Sequence, residues 1–535
     1  MPLFALGVVT AVATFFTLGP ENGGVRAVLA LAEAGLVGAW ALGGRAARPR
    51  RVLRVPAVLL VLWAAAMLAA TALAVHPAPA VLRSMEWAAH GSFALMLWAE
   101  VLRDRAVLPV VLRAIPVGFA ATVALLLLQA AFMADPYHYD WAHRMPFFVH
   151  ARYFGLYTLA GAVFAARPLL DPGAGAAARR WAWAGVALAG GAAAWTGGRT
   201  AVGAVLLGGA VLLVLAPRGR RVRFVAASAT ALAAGALLAA CLPVAHYELG
   251  LGRLLGSSAA VTNAYAFTSA RTELWAASLD AWRARPWLGL GPDAAQFVVA
   301  PFGHVQPHNV VVQGLLEWGV LGTVPALLLL GLLLLRAVRS TVAERDGALR
   351  AARAVSTAFL VGTTASGLLD GTFYDPRWLL LLAVATAVVL LPVGGDAAAR
   401  APMGRGARGA LGGGAVLVAV LFALHLLAAR AIWAPGIPAS ESARVRLLYA
   451  VPTPSGTAEV TPWVRAWAPD DPAAAIALAR WGAAHAPFPA PFLTTEADLL
   501  LAQGDTARAR ARYADARRAQ VAVERLRAAG ASGGP

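Results

Sequence analysis

"RDRAVLPVVLRAIPVGFAATVALLLLQAAFMADPYHYD" runs from Arg103 to Asp140. Its middle, Ala106 to Met133, is one apolar block longer than the roughly 20 residues that cross a bilayer core. Arginines stand before it, and a Tyr, His and Asp cluster follows it. The same order of arginine-rich loop, apolar block and polar cluster recurs along the 535 residues. With 60% of residues hydrophobic and 13% charged, the chain cannot be an ordinary soluble domain. The expected fold is all-α: a polytopic membrane protein.

The candidate spans are Leu3 to Leu18, Val25 to Leu42, Val55 to Val75, Ala88 to Leu102, Ala106 to Met133, Tyr153 to Ala166, Trp181 to Trp195, Ala201 to Ala216, Phe224 to Val244, Gly319 to Leu335, Ala354 to Leu369, Leu379 to Leu391 and Ala410 to Ala429. That makes about 13 transmembrane helices. The first block has no basic residues before it and reads as a retained span rather than a cleaved leader. Every basic residue apart from histidine is arginine. The net charge of +18 would suggest nucleic acid in a soluble protein, but much of the arginine falls in short loops between apolar blocks, where it sets orientation. No nucleic-acid partner is expected. Cys241 is the single cysteine, which excludes a disulfide within the chain.

Six arginine-rich loops, at 43–54, 103–105, 176–180, 217–223, 336–353 and 400–408, are separated by even numbers of spans. One side therefore receives them all, and the charge rule makes that side the cytoplasm. The amino terminus is then cytoplasmic, and residues 246–307 and those after Arg430 lie outside. Four polar clusters share the outer side: Ala134 to Gly155, "WTGGRTA" (Trp195 to Ala201), the loop His246 to Pro307, and "DGTFYDPRW" (Asp370 to Trp378). Arg199, in a very short outer turn, runs against the charge bias. It either faces a bound anion or snorkels to headgroups.

In the long outer loop, Leu274, Trp275, Leu279 and Trp282 recur at helical spacing, with Arg271 in the first turn and Pro286, Gly289 and Gly291 ending the pattern. This predicts an amphipathic helix lying against the bilayer or the bundle. The lone Gly-Leu-Gly is too weak for a nucleotide loop and reads as a turn. Next comes "QPHNVVVQGLLEWGVLG" (Gln306 to Gly322). Asn309 is a good N-cap, and Asn309, Gln313 and Glu317 fall at i, i+4 and i+8, forming a polar stripe that must face protein or water. His308 stands at its top, where a ring nitrogen could take or orient a proton. The plainer alternative is that His308 and Asn309 only start a helix.

The order "GGRTA", then "R...W" followed by "P.LGLG", then "PHN...Q...E.G..G" resembles the O-antigen ligase and polymerase superfamily of integral membrane glycosyltransferases. The resemblance covers about Trp195 to Leu391 by motif, and the His-Asn helix start is its most specific piece. It implies a donor glycan on undecaprenyl diphosphate, used at the periplasmic face of the bacterial inner membrane. The implied acceptor is a hydroxyl of lipid A core, another glycan or a protein. Arg199 and Arg271 would clamp the diphosphate, with Arg152 as a further basic residue before "YFGLYT", and His308 would activate or position the acceptor. Guanidinium suits phosphate because it stays charged and bonds in a fork. The sequence has Thr200 and Ala201 after Arg199, where many relatives have Gly or small residues, and Val310 after the His-Asn pair, where Leu, Ser or Tyr is common; neither change removes a chemical group. The family uses no nucleotide cofactor and no catalytic metal at this site. Tyr137, His138, Asp140, His143 and His150 are spaced too irregularly for a tight metal site.

These readings divide the chain into N-terminal helices (1–194), a ligase-like core (195–393), a last span (394–430) and an outer tail (431–535). In the tail, "LLLAQGDTARARARYADARR" (Leu499 to Arg518) matches the later half of a tetratricopeptide repeat, with a fainter copy around Ala475. So short an array would pack on the membrane domain or on a protein partner; a solvated arginine-rich hairpin is the alternative. Ligation to a lipid or sugar acceptor is the leading function, followed by repeat-unit polymerisation and protein O-glycosylation. A lipid-linked oligosaccharide transporter is the competing class and predicts internal repeats with broken helices. A membrane-anchored tetratricopeptide scaffold would leave the outer arginines and His308 unexplained.

Overall fold

The computed structural model describes residues 22–49, 54–136, 138–142, 145–148, 150–241, 271–299, 306–395, 400–433, 471–485 and 490–518, with a few isolated positions between them. The expected first span, Leu3 to Leu18, lies outside the described residues, as do parts of the outer loop and of the tail. The helices are α1 (Asn22–Leu42), α2 (Arg54–Ala72), α3 (Pro77–Arg103), α4 (Val107–Phe132), α5 (Ala151–Ala165), α6 (Arg167–Leu170), α7 (Ala176–Thr196), α8 (Arg199–Leu215), α9 (Arg221–Cys241), α10 (Arg271–Arg283), α11 (Ala295–Val299), α12 (Val310–Ala343), α13 (Gly347–Gly367), α14 (Pro376–Leu390), α15 (Arg405–Trp433), α16 (Pro472–His485) and α17 (Ala490–Ala502). The strands β1 (Ala47–Pro49) and β2 (Arg400–Pro402) form one antiparallel pair.

Each of the twelve remaining expected spans coincides with a described helix. Among the described residues, six segments are long and apolar enough to cross a membrane: Arg54–Ala72, Val107–Phe132, Ala151–Leu170, Arg218–Ala240, Val310–Ala343 and Arg405–Leu424; Arg199–Leu215 and Pro376–Leu390 are shorter apolar helices. The other four are α1, α3, α7 and α13. α1 and α3 carry charged residues that pair with one another between the two helices. Arg26 meets Glu86 at 3.2 Å and His90 Nδ1 meets Glu33 at 2.7 Å. An ionisable group inside an apolar span is tolerated when it finds such a partner within the bundle.

The contacts divide the chain into two interleaved units. The first comprises Met1–Leu60, Glu86–Ala266 and Ala326–Ala419. Its centre is α5, whose residues are nearly all buried, packed among α4, α7, α8 and α13. Aromatic contacts fix that centre: Phe119 stacks on Phe154 at 5.7 Å, and Tyr157 meets Trp378 edge-on at 5.1 Å. At one end of the unit the arginine-rich loops gather. Arg105 reaches Asp346 at 3.8 Å and also bonds the Gly394 carbonyl. Arg350 donates to Leu215 O, and the buried Arg353 pairs with Glu344 at 3.3 Å. β1 and β2 tie the loops at 43–54 and 400–408 to each other.

At the other end of the same unit, three of the polar clusters meet. Trp141 packs edge-on against Trp195 at 5.9 Å, and Arg377 donates to Phe147 O at 3.0 Å. The arginines and the polar clusters thus occupy opposite ends of one bundle, as the alternation of loops requires.

The second unit comprises Val61–Met85, Phe267–Pro325 and Val420–Pro535. In its tail, α16, α17 and the helical residues 506–518 enclose a small core of Ala475, Leu478, Phe492, Leu500 and Ala509. The buried Glu496 pairs with Arg480 at 2.6 Å and Arg512 at 3.1 Å.

Candidate functional site

α12 begins as its sequence dictates. The Asn309 side chain caps it, accepting from the Val311 and Val312 amides at 2.9 and 3.1 Å. His308, the residue before the cap, holds φ +56, a left-handed backbone uncommon for a residue other than glycine. Trp275 of α10 donates its indole N–H to Pro307 O at 2.8 Å, fixing that turn. Arg271 lies four residues before Trp275, hence one helical turn away on the same face of α10. The structure therefore brings Arg271 and His308 to one corner of this unit.

One turn below the cap, Gln313 donates to Glu317 at 3.0 Å. Glu317, 1% exposed, also accepts from the Asp293 backbone amide and lies within electrostatic reach of Arg83. Asp293 in turn accepts from Gln296 at 3.1 Å. The stripe Asn309, Gln313, Glu317 thus runs from the cap into a buried polar cluster.

Directly beyond Glu317 the helix breaks. Gly319 takes φ +62 and ψ −168, a conformation essentially reserved for glycine. The break would strand backbone groups inside an apolar span, where each would cost several kcal/mol. The segment 286–291 takes their place. Leu290 N and Gly291 N donate to Leu316 O and Glu317 O at 2.8 and 3.1 Å, while Val320 N and Leu321 N donate to Pro286 O and Trp287 O at 2.9 and 3.1 Å. This contact admits no side chains: a Cβ on Gly289 would stand 2.5 Å from Leu316 O, and one on Gly319 would stand 2.3 Å from Trp287 O. Read from sequence as a simple turn, "WLGLG" is instead the strap that completes an interrupted helix.

In the first unit, α7 ends at Gly197 with φ +62 and α8 starts at Arg199. α5 and α8 lie parallel, with a Cβ at Gly155 meeting Ala201 Cβ at 3.2 Å and, farther along, one at Gly208 meeting Leu159 at 2.9 Å. Their starts coincide, so the half-buried Arg199 and the exposed Arg152 stand at the same end. Helix starts favour anions through their unpaired N–H groups and dipole. His150 is committed to capping α5, its Nδ1 accepting from Arg152 N at 2.9 Å. Of the other residues weighed as metal ligands, Tyr137 and His143 lie outside the described residues. The Arg152/Arg199 end and the Arg271/His308 corner belong to different units.

Residues 184–327 match a family model described as O-antigen ligase. Over that stretch the chain is similar to O-antigen ligases. The matched segment contains Arg199, Arg271, the strap, the His308 turn, the polar stripe and the Gly319 break; Arg152 lies outside it. No curated protein matches the chain.

Sequence reasoning passed over Arg83, Asp293 and Arg377. Arg83 and Asp293 surround Glu317. Arg377 forms a two-pronged pair with Asp375 at 3.2 and 3.3 Å and lies 4.9 Å over the Phe148 ring, holding the loop before α5. The signal for Arg83 was a charged side chain close to an apolar block; for Arg377 it was the acidic residue two positions before it.

Proposed function

We propose that this multi-pass, ligase-type membrane protein transfers a glycan from undecaprenyl diphosphate to an acceptor hydroxyl at the periplasmic face of the bacterial inner membrane. The acceptor oxygen attacks the anomeric carbon, the bond from that carbon to the diphosphate oxygen breaks, and the diphosphate departs with the electron pair. His308 takes the acceptor proton, a role worth about 10²- to 10⁴-fold. Arg271 and Arg199, with Arg152 beside the latter, neutralise charge on the departing diphosphate. Asn309, Gln313 and Glu317 hold the helix start that carries His308. Donor and acceptor supply all the reacting atoms, so the scheme calls for no cofactor.

The observation that carries this reading is the left-handed His308 turn, bonded through Trp275 to the helix bearing Arg271 and contained in the matched segment. Strained backbone of this kind clusters at functional sites. Gln306, fully buried with neither amide atom hydrogen-bonded among the described residues, adds polar capacity that sugar hydroxyls would satisfy.

Ligation to a lipid A core or other surface glycan is the leading form, with polymerisation and protein glycosylation as alternatives. The 195–393 segment is taken as the catalytic core and the tail as a tetratricopeptide-like docking element for a protein partner. The test is glycan transfer by purified protein from undecaprenyl-diphosphate donors to candidate acceptors. Transfer that persists in both Arg271→Ala and His308→Ala rules out the assigned site.

The broken helix favours a second reading, a lipid-linked oligosaccharide transporter, because discontinuous spans line transporter sites. Here the strap already occupies four backbone groups at the break, leaving them unable to coordinate a substrate. Movement of labelled donor across vesicles without transfer would favour the transporter.

A further inference from the structure

A cavity ringed by arginines stands at the opposite, arginine-rich end of the first unit, away from Arg152 and Arg199. α7 and α9 run parallel and cross closely, a Cβ on Gly191 falling 2.7 Å from Gly235 O. Such small-residue crossings are how membrane helices approach one another. Trp183 Nε1 donates to Thr230 at 3.1 Å on the way to the helix starts. There the pair opens on a cavity of about 360 Å³, lined by Arg179, Arg180, Arg220, Arg223, Trp183 and Phe224 among others.

Four arginines line this cavity, yet none of them pairs with a carboxylate among the described residues. Arg179 makes one long bond to Pro172 O at 3.4 Å. Placing arginines in a loop satisfies the charge rule, but the rule does not require them to surround an aromatic-walled cavity. Both helices also start here, so their dipoles add positive potential.

The flanks of the cavity are apolar and open. Trp181 is 78% exposed and Val222 82% exposed, and Arg218–Ala240 is one of the segments able to cross a membrane. A ligand seated here would meet cations at its head and hydrocarbon-facing side chains along its length.

We propose that this cavity binds the phosphate headgroup of an anionic phospholipid, whose acyl chains lie along α7 and α9. Guanidinium forks match phosphate oxygens, and basic pockets between membrane helices recognise such headgroups. The site is independent of the transfer reaction and uses none of its residues.

The test uses the full chain purified in detergent and native mass spectrometry with phosphatidylglycerol, phosphatidylcholine and soluble glycerol phosphate. Phosphatidylglycerol should bind at least about tenfold better than phosphatidylcholine. Arg180→Gln with Arg220→Gln should lower its affinity roughly ten- to thirtyfold, at about 1 kcal/mol per arginine, while leaving phosphatidylcholine unchanged. Equal binding of the two lipids, or a double variant that binds phosphatidylglycerol like wild type, overturns the site. Displacement of the lipid by glycerol phosphate overturns the lipid assignment in favour of a soluble anion. Because loop arginines also guide insertion, a second measurement leaves the chain unaltered. Photoreactive phosphatidylglycerol in vesicles should label residues 179–183 and 220–224 of wild type, and labelling spread evenly over the exposed helix faces overturns the proposal.

Discussion

Leu290 donates its backbone N–H to the carbonyl of Leu316 at 2.8 Å, occupying an acceptor that an unbroken helix would offer to Val320. The break at Gly319 is stable because another part of the chain supplies its hydrogen bonds. Gly319→Ala should therefore be severely destabilising: at least about 1–3 kcal/mol for the backbone conformation, plus the collision with Trp287. Gly331→Ala, in the same helix with nothing within 4 Å of the added carbon, should be neutral or stabilising by up to about 1 kcal/mol. Thermal unfolding in detergent compares the two, and similar midpoints would show that the break is not structurally required.

His308 calls for a substitution that separates chemistry from strain. Asparagine tolerates a left-handed backbone, so His308→Asn should unfold like wild type while losing about 10²- to 10⁴-fold in turnover. Trp275→Phe removes only the bond to Pro307 and should cost about three- to tenfold in kcat/KM, in line with one hydrogen bond. Full turnover in His308→Asn would leave the ring without a chemical role.

The gathering of arginine loops at one end and polar clusters at the other predicts a labelling pattern. In a Cys241→Ser background, cysteines at Gly173, Gly219 and Gly394 should react with a membrane-impermeant thiol reagent from one side, and those at Asp135 and His138 from the other. The charge rule assigns the first group to the cytoplasm. Mixed accessibility within either group contradicts the arrangement.

In the tail, Tyr513 donates its hydroxyl to Asp498 at 2.6 Å, and that bond raises the phenol above its ordinary value. The folded tail thus holds the neutral phenol. Its contribution is intact below about pH 10, the ordinary tyrosine value, and fades as pH climbs through the raised one. Amide exchange in residues 490–518 of the full chain should speed up more between about pH 9 and 11 in wild type than in Tyr513→Phe, beyond the general rise in exchange chemistry. Parallel profiles would remove the bond from the tail's stability.

Much of this was legible in the sequence because membrane insertion writes strong local signals. The Asn309 cap and the i, i+4 relation of Gln313 to Glu317 follow from helical geometry alone. The role of "WLGLG" was not legible, since glycines in a loop mark a turn as readily as a close approach, and only the position of Leu316 and Glu317 distinguishes the two. The pairing of Arg26 with Glu86 was hidden for a related reason. They sit on separate helices, and nothing local states which helices are neighbours.

The short pairing of Ala47–Pro49 with Arg400–Pro402 bears on the order in which the protein is made. The same closure continues along α1 and α15, where a Cβ on Gly38 would meet Ala415 at 3.6 Å and one on Gly412 would meet Leu42 at 2.9 Å. The first described helix therefore finds its final neighbour only when nearly the whole membrane part has left the ribosome. Until then a bare strand edge waits among the arginine-rich loops and a helix flank stays open, and a chain that stops short of residue 400 completes neither contact.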